Sequence, residues 1–296
     1  MSRIAVVGDV HLQWGEEDLR YFAGSDYDLV LFVGDLGSYR HARLLAVARS
    51  IGRLEKPAIV IPGNHDGPSP GQLAAEVFGS SRVAGRLSGG QGRRVAQLEE
   101  ACGAVQVSGY SVHELGSDRA LIVARPHSMG GERLHFARWL RERYGVSTME
   151  ESARRLRELV DSTEASRLVF LAHNGPTGLG SSRSDIWGCD FRKEEGDQGD
   201  DDLASAVRYD RERGRLVETV LAGHMHHRLR GGGQRRWTVV RDGVLYVNAA
   251  RVPRVFREGS RTLRHHVRLC LGDGPPRASQ VLVDAEGREQ SAVEAT

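Results

Sequence analysis

The chain has 296 residues, with 41 basic and 39 acidic side chains and a formal net charge of +2. So even a balance gives no electrostatic drive toward nucleic acid or an anionic membrane, and no window approaches the ~20 apolar residues of a membrane span. Hydrophobic content of 40% with 27% charged residues is ordinary for a soluble globular protein.

The N-terminal MSRIAVVGDV enters a strand-like run without the apolar h-region of a signal peptide. Cys102, Cys189 and Cys270 are too widely spaced for a disulfide framework or a CxxC zinc site, so a reducing, cytoplasmic setting is expected. Ile4 to Gly8, Leu29 to Val33 and Ala58 to Ile61 are continuous apolar runs, the pattern of strands buried on both faces. Between the last two, Ser38 to Leu54 carries Leu44, Leu45, Val47, Ala48 and Ile51 at helical spacing. Strands alternating with helices predict βαβ units and a largely parallel sheet. Further along, Gly67 to Gly103 is glycine-containing with two helical patches, one over Arg93 to Ala101, and Val105 to Val107 and Leu121 to Ala124 read as strands. Thr148 to Ser162 predicts a helix capped by Ser147 or Thr148, with Glu150 and Glu151 in its first turn. Leu168 to Ala172 is another buried strand, followed by a long polar loop over Gly178 to Asp202, a helix around Leu203 to Arg211 and a strand from Val217 to Ala222. From Trp237 onward, strands and tight turns take over, with Asp242-Gly243 a hairpin signal.

Polar clusters stand immediately after five of the buried strands: Asp9-x-His11, Gly34-Asp35, Gly63-Asn64-His65-Asp66, His173, and Gly223-His224-x-His226. Ligand chemistry in α/β folds gathers at such carboxyl ends. The clusters span residues 9 to 226, so no domain boundary separates them, and a single domain over residues 1–296 is expected. An extended backbone would point Asp9 and His11 to one side, and His224 and His226 likewise. Carboxylate with imidazole and no thiolate suits manganese, iron, zinc or nickel. The donors Asp9, His11, Asp35, Asn64, His173, His224 and His226 exceed one coordination sphere and suit two divalent ions. Two such ions about 3.5–4 Å apart can activate a bridging water and stabilise an in-line displacement at phosphorus.

DxH, GD, GNHD, a later strand-end His and GHxH, in this order over residues 4 to about 250, resemble the calcineurin-like metallophosphoesterase superfamily. The resemblance implies an α/β fold in which a two-sheet β-sandwich is flanked by helices. It implies one metal, with manganese favoured, on Asp9, His11 and His226, a second on Asn64, His173 and His224, and Asp35 bridging. It makes His65 the non-ligand that protonates the leaving group or steadies the phosphoryl oxygens, with Asp66 orienting it. Gly34-Asp35-Leu36-Gly37 and Pro62-Gly63-Asn64-His65-Asp66 depart from the protein-phosphatase branch and are more similar to members acting on small substrates or diesters. LAHNGPTGLG (Leu171 to Gly180) and VNAARVPR (Val247 to Arg254) resemble a less-characterised cyanobacterial and plastid branch.

Arg251 and Arg254 follow a strand near the last histidines and are candidate phosphate clamps. The acidic run Glu194 to Asp202 reads as a solvated loop or as a lid that excludes polyanions, and His127 is the remaining histidine best placed to face the cleft. The expected function is hydrolysis of a phosphomonoester or phosphodiester with a small-molecule substrate. The alternatives are a nuclease of the same superfamily, disfavoured by the charge balance, and a catalytically silent metal-stabilised binding protein.

Overall fold

Strands hydrophobic on both faces need cover on both sides. The computed structural model, which describes residues 1–116 and 118–294, supplies it with two stacked sheets between outer layers of helices. Strands β1 (Ser2–Val7), β2 (Leu29–Phe32), β3 (Ala58–Val60) and β4 (Gln106–Val107) run parallel in one sheet, with Val6 opposite Leu31 and Leu31 opposite Ile59. The chain then builds the second sheet from β5 (Ser111–Gly116), β6 (Arg119–Val123), β7 (Arg167–Leu171), β8 (Leu216–Ala222), β9 (Thr238–Arg241) and β10 (Val244–Asn248), in the order β5-β6-β7-β8-β10-β9. Here β6, β7, β8 and β10 are parallel, and β5 and β9 are antiparallel edges. Finally β11 (Val255–Glu258), β12 (Arg261–Leu271), β13 (Arg277–Val283) and β14 (Glu289–Glu294) return to the first sheet, where β12 pairs antiparallel with β1. The first sheet is therefore mixed rather than largely parallel, because the C-terminal hairpins extend it.

Alternation along the strands sorts the core. Ile4, Val6, Leu31 and Ile61 meet Val123, Leu171, Leu221 and Val247 between the sheets. On the far side of the first sheet, Ala5, Val7, Val30 and Phe32 pack with Phe22, Leu44, Ala48 and Leu98. These come from α1 (Glu16–Gly24), α2 (His41–Ile51) and, after the short α3 (Pro70–Val77) and α4 (Ser81–Leu87), from α5 (Gln91–Cys102). The second sheet is covered by α6 (Ala137–Tyr144), α7 (Met149–Asp161) and α8 (Asp201–Glu212), whose Leu140, Leu156 and Ala206 pack with Ile122 and Phe170. Helix α7 starts as expected: Thr148 Oγ1 accepts from Glu151 N at 3.1 Å, and the Glu151 carboxylate accepts from Ser147 N at 2.7 Å. The β9–β10 hairpin turns on Asp242 and Gly243, with φ of 52° and 78°, the backbone that a two-residue hairpin loop requires. Helix α1, helix α6 and strand β5 were not expected. Each is short, and its apolar residues acquire meaning only from the sheet beneath. All five polar clusters emerge at one end of the sandwich, after β1, β2, β3, β7 and β8.

Candidate metal centre

Two groups of donors form where these strands end. Ligand atoms of Asp9, His11 and His226 all lie within 4.8 Å of one another, and so do those of Asp35, His173 and His224. Asn64 joins the second group, its Oδ1 lying 2.9 Å from His173 Nε2. Asp35 stands between them, with Oδ2 3.8 Å from His11 Nε2 and Oδ1 3.6 Å from His173 Nε2. All seven expected donors are thus brought together.

The route to this arrangement differs from the extended dipeptides that the spacing suggested. Asp9, His11, Asp35 and His224 have φ of 36°, 41°, 49° and 65°. Left-handed backbone at non-glycine residues is strained and persists where the surroundings over-determine it. The surroundings are tight: a Cβ on Gly63 would lie 2.3 Å from Asp35 Oδ1, and one on Gly223 would lie 2.2 Å from Asp9 Oδ2. Glycine at both positions lets backbone reach the carboxylates.

Second contacts aim the rings. His173 Nδ1 lies 2.6 Å from Val33 O, and His11 Nδ1 lies 3.3 Å from Gly37 O. A proton on Nδ1 in each leaves the Nε2 lone pair facing inward, as metal-binding imidazoles require. Burial lowers the pKa of His173, takes His224 well below its ordinary value with His173 adding to the effect, and pushes His226 down to about 4 with help from His11. These rings keep their lone pairs at neutral pH. Burial, reinforced by Asp35, raises Asp9 well above the usual carboxylate range. Burial would raise Asp35 as well, yet the surrounding His65, His173, His11 and His224 hold it below that range. Inward lone pairs and one depressed carboxylate form a donor set that fits divalent ions.

His65 lines the cleft, donates its backbone N–H to Asp35 Oδ1 at 2.9 Å, and meets the ring edges of His11 and Tyr39 at 5.5 Å each. Asp66 does not orient it. Both Asp66 oxygens are occupied by amides, Gly63 N at 2.8 Å and Gly37 N at 3.0 Å, so this buried carboxylate ties the second and third polar loops together. Burial and the neighbouring Asp35 push Asp66 up to about 7 against those amide donors. His127 is fully buried rather than cleft-facing. It clamps the same third loop, with its N–H on Pro62 O at 2.7 Å and Nδ1 2.6 Å from Gly63 O.

The two candidate phosphate clamps lie elsewhere. Arg254 is buried, with Nη2 donating to Asp18 Oδ1 at 2.8 Å and Nη1 to Gln13 O at 2.6 Å, so it secures α1 to the C-terminal hairpin. Arg251 stacks its guanidinium 4.0 Å over the Phe256 ring. The acidic run is not one solvated lid. Asp200 and Asp202 are buried on Arg125 at 2.7 Å each, and Asp197 accepts from Gly178 N and Gly199 N. Trp187 is a hydrophobic anchor, packed against Gly175, where a Cβ would come within 2.0 Å of its ring.

Sequence reasoning missed the residues that face the ligand groups across the cleft: Arg133, Arg192, Arg228 and Arg230. Arg228 and Arg230 follow His226 by two and four residues, a local signal that could have singled them out. It also missed Arg235, buried beneath them. Its Nε donates to His226 O at 3.0 Å, Nη1 to Arg183 O and Asp185 O at 2.9 Å, and Nη2 lies 3.1 Å from Asp190 Oδ1.

A two-sheet α/β sandwich with imidazoles and carboxylates at its strand ends defines a metallophosphoesterase. The family model of calcineurin-like phosphoesterases matches residues 2–228, and the chain belongs to that family. One solved structure superposes with a TM-score of 0.55 at 11% identity over 99% of each chain. A protein of Thermus thermophilus, TT1561, does so at 0.52 and 11% identity, over 99% of this chain and 98% of that one. A metallophosphoesterase from Sphaerobacter thermophilus is 14% identical over 99% of this chain and 88% of its own, with a TM-score of 0.33. The first two share the fold. No curated protein matches the chain. No helix among the described residues is long and apolar enough to cross a membrane.

Proposed function

We propose that the protein hydrolyses a small phosphomonoester or phosphodiester in the cytoplasm, as one unit over residues 1–296, using two divalent ions, manganese ahead of iron, zinc or nickel. One observation carries the reading: two three-residue donor groups, each within 4.8 Å, with Asp35 reaching toward both. Asp9, His11 and His226 would hold one ion, Asn64, His173 and His224 the other, and Asp35 would bridge. Ions there supply Lewis-acid polarisation of the phosphoryl group and hydroxide at neutral pH.

The chain's own residues do the rest. His65 faces the cleft beside the donors and can pass a proton to the leaving oxygen, help worth about 10²–10⁴-fold. Asp66 and His127 act on it indirectly, by fixing the loop that carries Asn64 and His65. Asp190, Phe191 and Arg192, in the segment that follows the buried Trp187, line part of the cleft.

A nuclease reading gains one observation, the arginines that line the cleft beside Asp197 of the acidic run. The test is turnover of p-nitrophenyl phosphate, its bis-ester and a single-stranded oligonucleotide, with metal content measured on the same sample. Turnover of either small ester with two bound ions is expected. Rapid cleavage of the oligonucleotide alone would favour the nuclease, and full metal loading without turnover would leave a binding protein.

A further inference from the structure

The cleft is far larger than a phosphoryl group, about 550 Å³, within the roughly 300–1,000 Å³ typical of small-molecule sites. Its lining is unevenly charged. Asp190 is already engaged by Arg235 and by Arg230 N at 2.8 Å, and Asp197 by two backbone amides. Arg133 leans toward Glu76 at 4.0 Å. By contrast, Arg192, Arg228 and Arg230 are exposed and have no carboxylate within ion-pair distance among the described residues. Three guanidiniums without a carboxylate partner line the cleft on two segments that the Asp190–Arg230 backbone contact joins, an arrangement that favours an anion beside them. The Arg192 guanidinium lies 5.6 Å over the ring of Phe191, which is 39% exposed, so the two side chains form a stacked pair at the cleft.

The wall is also held in place. Asp190 fixes the backbone of Arg230, and the Arg235 guanidinium ties both to the carbonyl of His226. The distance between this wall and the donor cluster is therefore set by a buried ion pair and not by loose loops.

We propose that the substrate carries a second, non-scissile anionic group, a phosphate or carboxylate, bound by Arg192, Arg228 and Arg230 while the scissile ester lies over the histidine–carboxylate cluster. The proposal rests on the phosphoesterase reading above. A cleft of about 550 Å³ and the stacked Phe191–Arg192 pair favour a compact ester with a planar body over a nucleic-acid strand.

Non-hydrolysable probes test this apart from turnover. Phenylphosphonate, para-carboxyphenylphosphonate and para-phenylenediphosphonate are titrated calorimetrically into protein loaded with Mn2+. At least one doubly anionic probe should bind about tenfold tighter than phenylphosphonate, and the larger gain tells carboxylate from phosphate. In the Arg192→Gln/Arg228→Gln/Arg230→Gln variant that ratio should fall to about one; the three side chains are exposed, so the fold is not at stake. A ratio near one in the unmodified protein, or a tenfold ratio that survives in the variant, overturns the proposal. So does an octathymidylate that binds tighter than every phosphonate. Turnover of p-nitrophenyl phosphate with a ratio near one sinks this inference and leaves the phosphoesterase reading intact, whereas a tenfold ratio without turnover keeps the anion wall and removes that reading.

Discussion

His11 Nε2 and His226 Nε2 face each other across 3.3 Å. With His11 Nδ1 committed toward Gly37 O, the His11 Nε2 lone pair faces His226, whose neutral ring either donates an Nε2–H to it or shares a cation with it. With a shared cation, chelation should lower the thermal midpoint, and Mn2+ should restore it. A ligand at 100 times its dissociation constant stabilises by about 2.7 kcal/mol. A midpoint indifferent to chelator and metal would mean that the Nε2–H, and not a cation, joins the pair.

Asp35 and Asp9 separate in a metal count. Asp35→Asn should weaken both ions, because its two oxygens face different donor groups, whereas Asp9→Asn should weaken one. Elemental analysis after dialysis against a fixed metal concentration reads the difference directly. Loss of a single ion from Asp35→Asn argues against a bridge.

His65→Ala should retain metal and lose turnover, by about 10²–10⁴-fold if its role is proton transfer. If metal and activity fall together, His65 is a ligand.

Asp66→Asn places an NH2 group where a backbone amide now donates. A buried donor left unpaired costs about 1–3 kcal/mol, so the unfolding midpoint in urea should drop. Metal affinity should fall with it, since the carboxylate joins Gly37 and Gly63, which stand beside the candidate ligands Asp35 and Asn64. Unchanged metal affinity would confine Asp66 to stability alone.

Buried neutral histidines outside the candidate donor set impose an acid limit. Burial pushes His127 down to about 4 and takes His266, bonded to Tyr27 Oη at 2.7 Å, well below its ordinary value. The unfolded chain takes up these protons near pH 6.5, whereas the folded chain takes up the His127 proton only near 4 and the His266 proton well below 6.5. Stability is therefore fully present above about pH 6.5 and declines as pH falls through that window, by up to about 1.4 kcal/mol per unit for each histidine. Urea midpoints at pH 7, 6 and 5 check the slope, and His266→Gln should flatten it.

The donors were legible because each sits directly after an apolar run, and strand ends converge whatever the details of the turn. What escaped depends on distant pairing. Arg254 looks like a clamp beside the last motif, yet its partner Asp18 is 236 residues away. The acidic run looks continuous until Arg125, 75 residues before Asp200, removes two of its charges into the core. Asp9-x-His11 reads the same in an extended strand or in left-handed backbone, and the contacts found with it are distant in sequence: Gly223 against the Asp9 carboxylate and His11 N on Asp35 O. The cleft arginines belong to loops whose composition says surface and whose position depends on Arg235 beneath them.

That buried guanidinium has a thermodynamic consequence. It holds the carbonyl of one candidate ligand, His226, together with the carbonyls of Arg183 and Asp185 and the carboxylate of Asp190. Rim and floor thus share an anchor, and binding free energies that share an anchor are reciprocal. An occupant that stiffens the rim raises metal affinity by the same factor by which metal raises affinity for the occupant. If divalent ions bind as proposed, departure of the occupant would loosen them by that factor, so the protein with its cleft occupied should retain metal more firmly than the protein with its cleft empty.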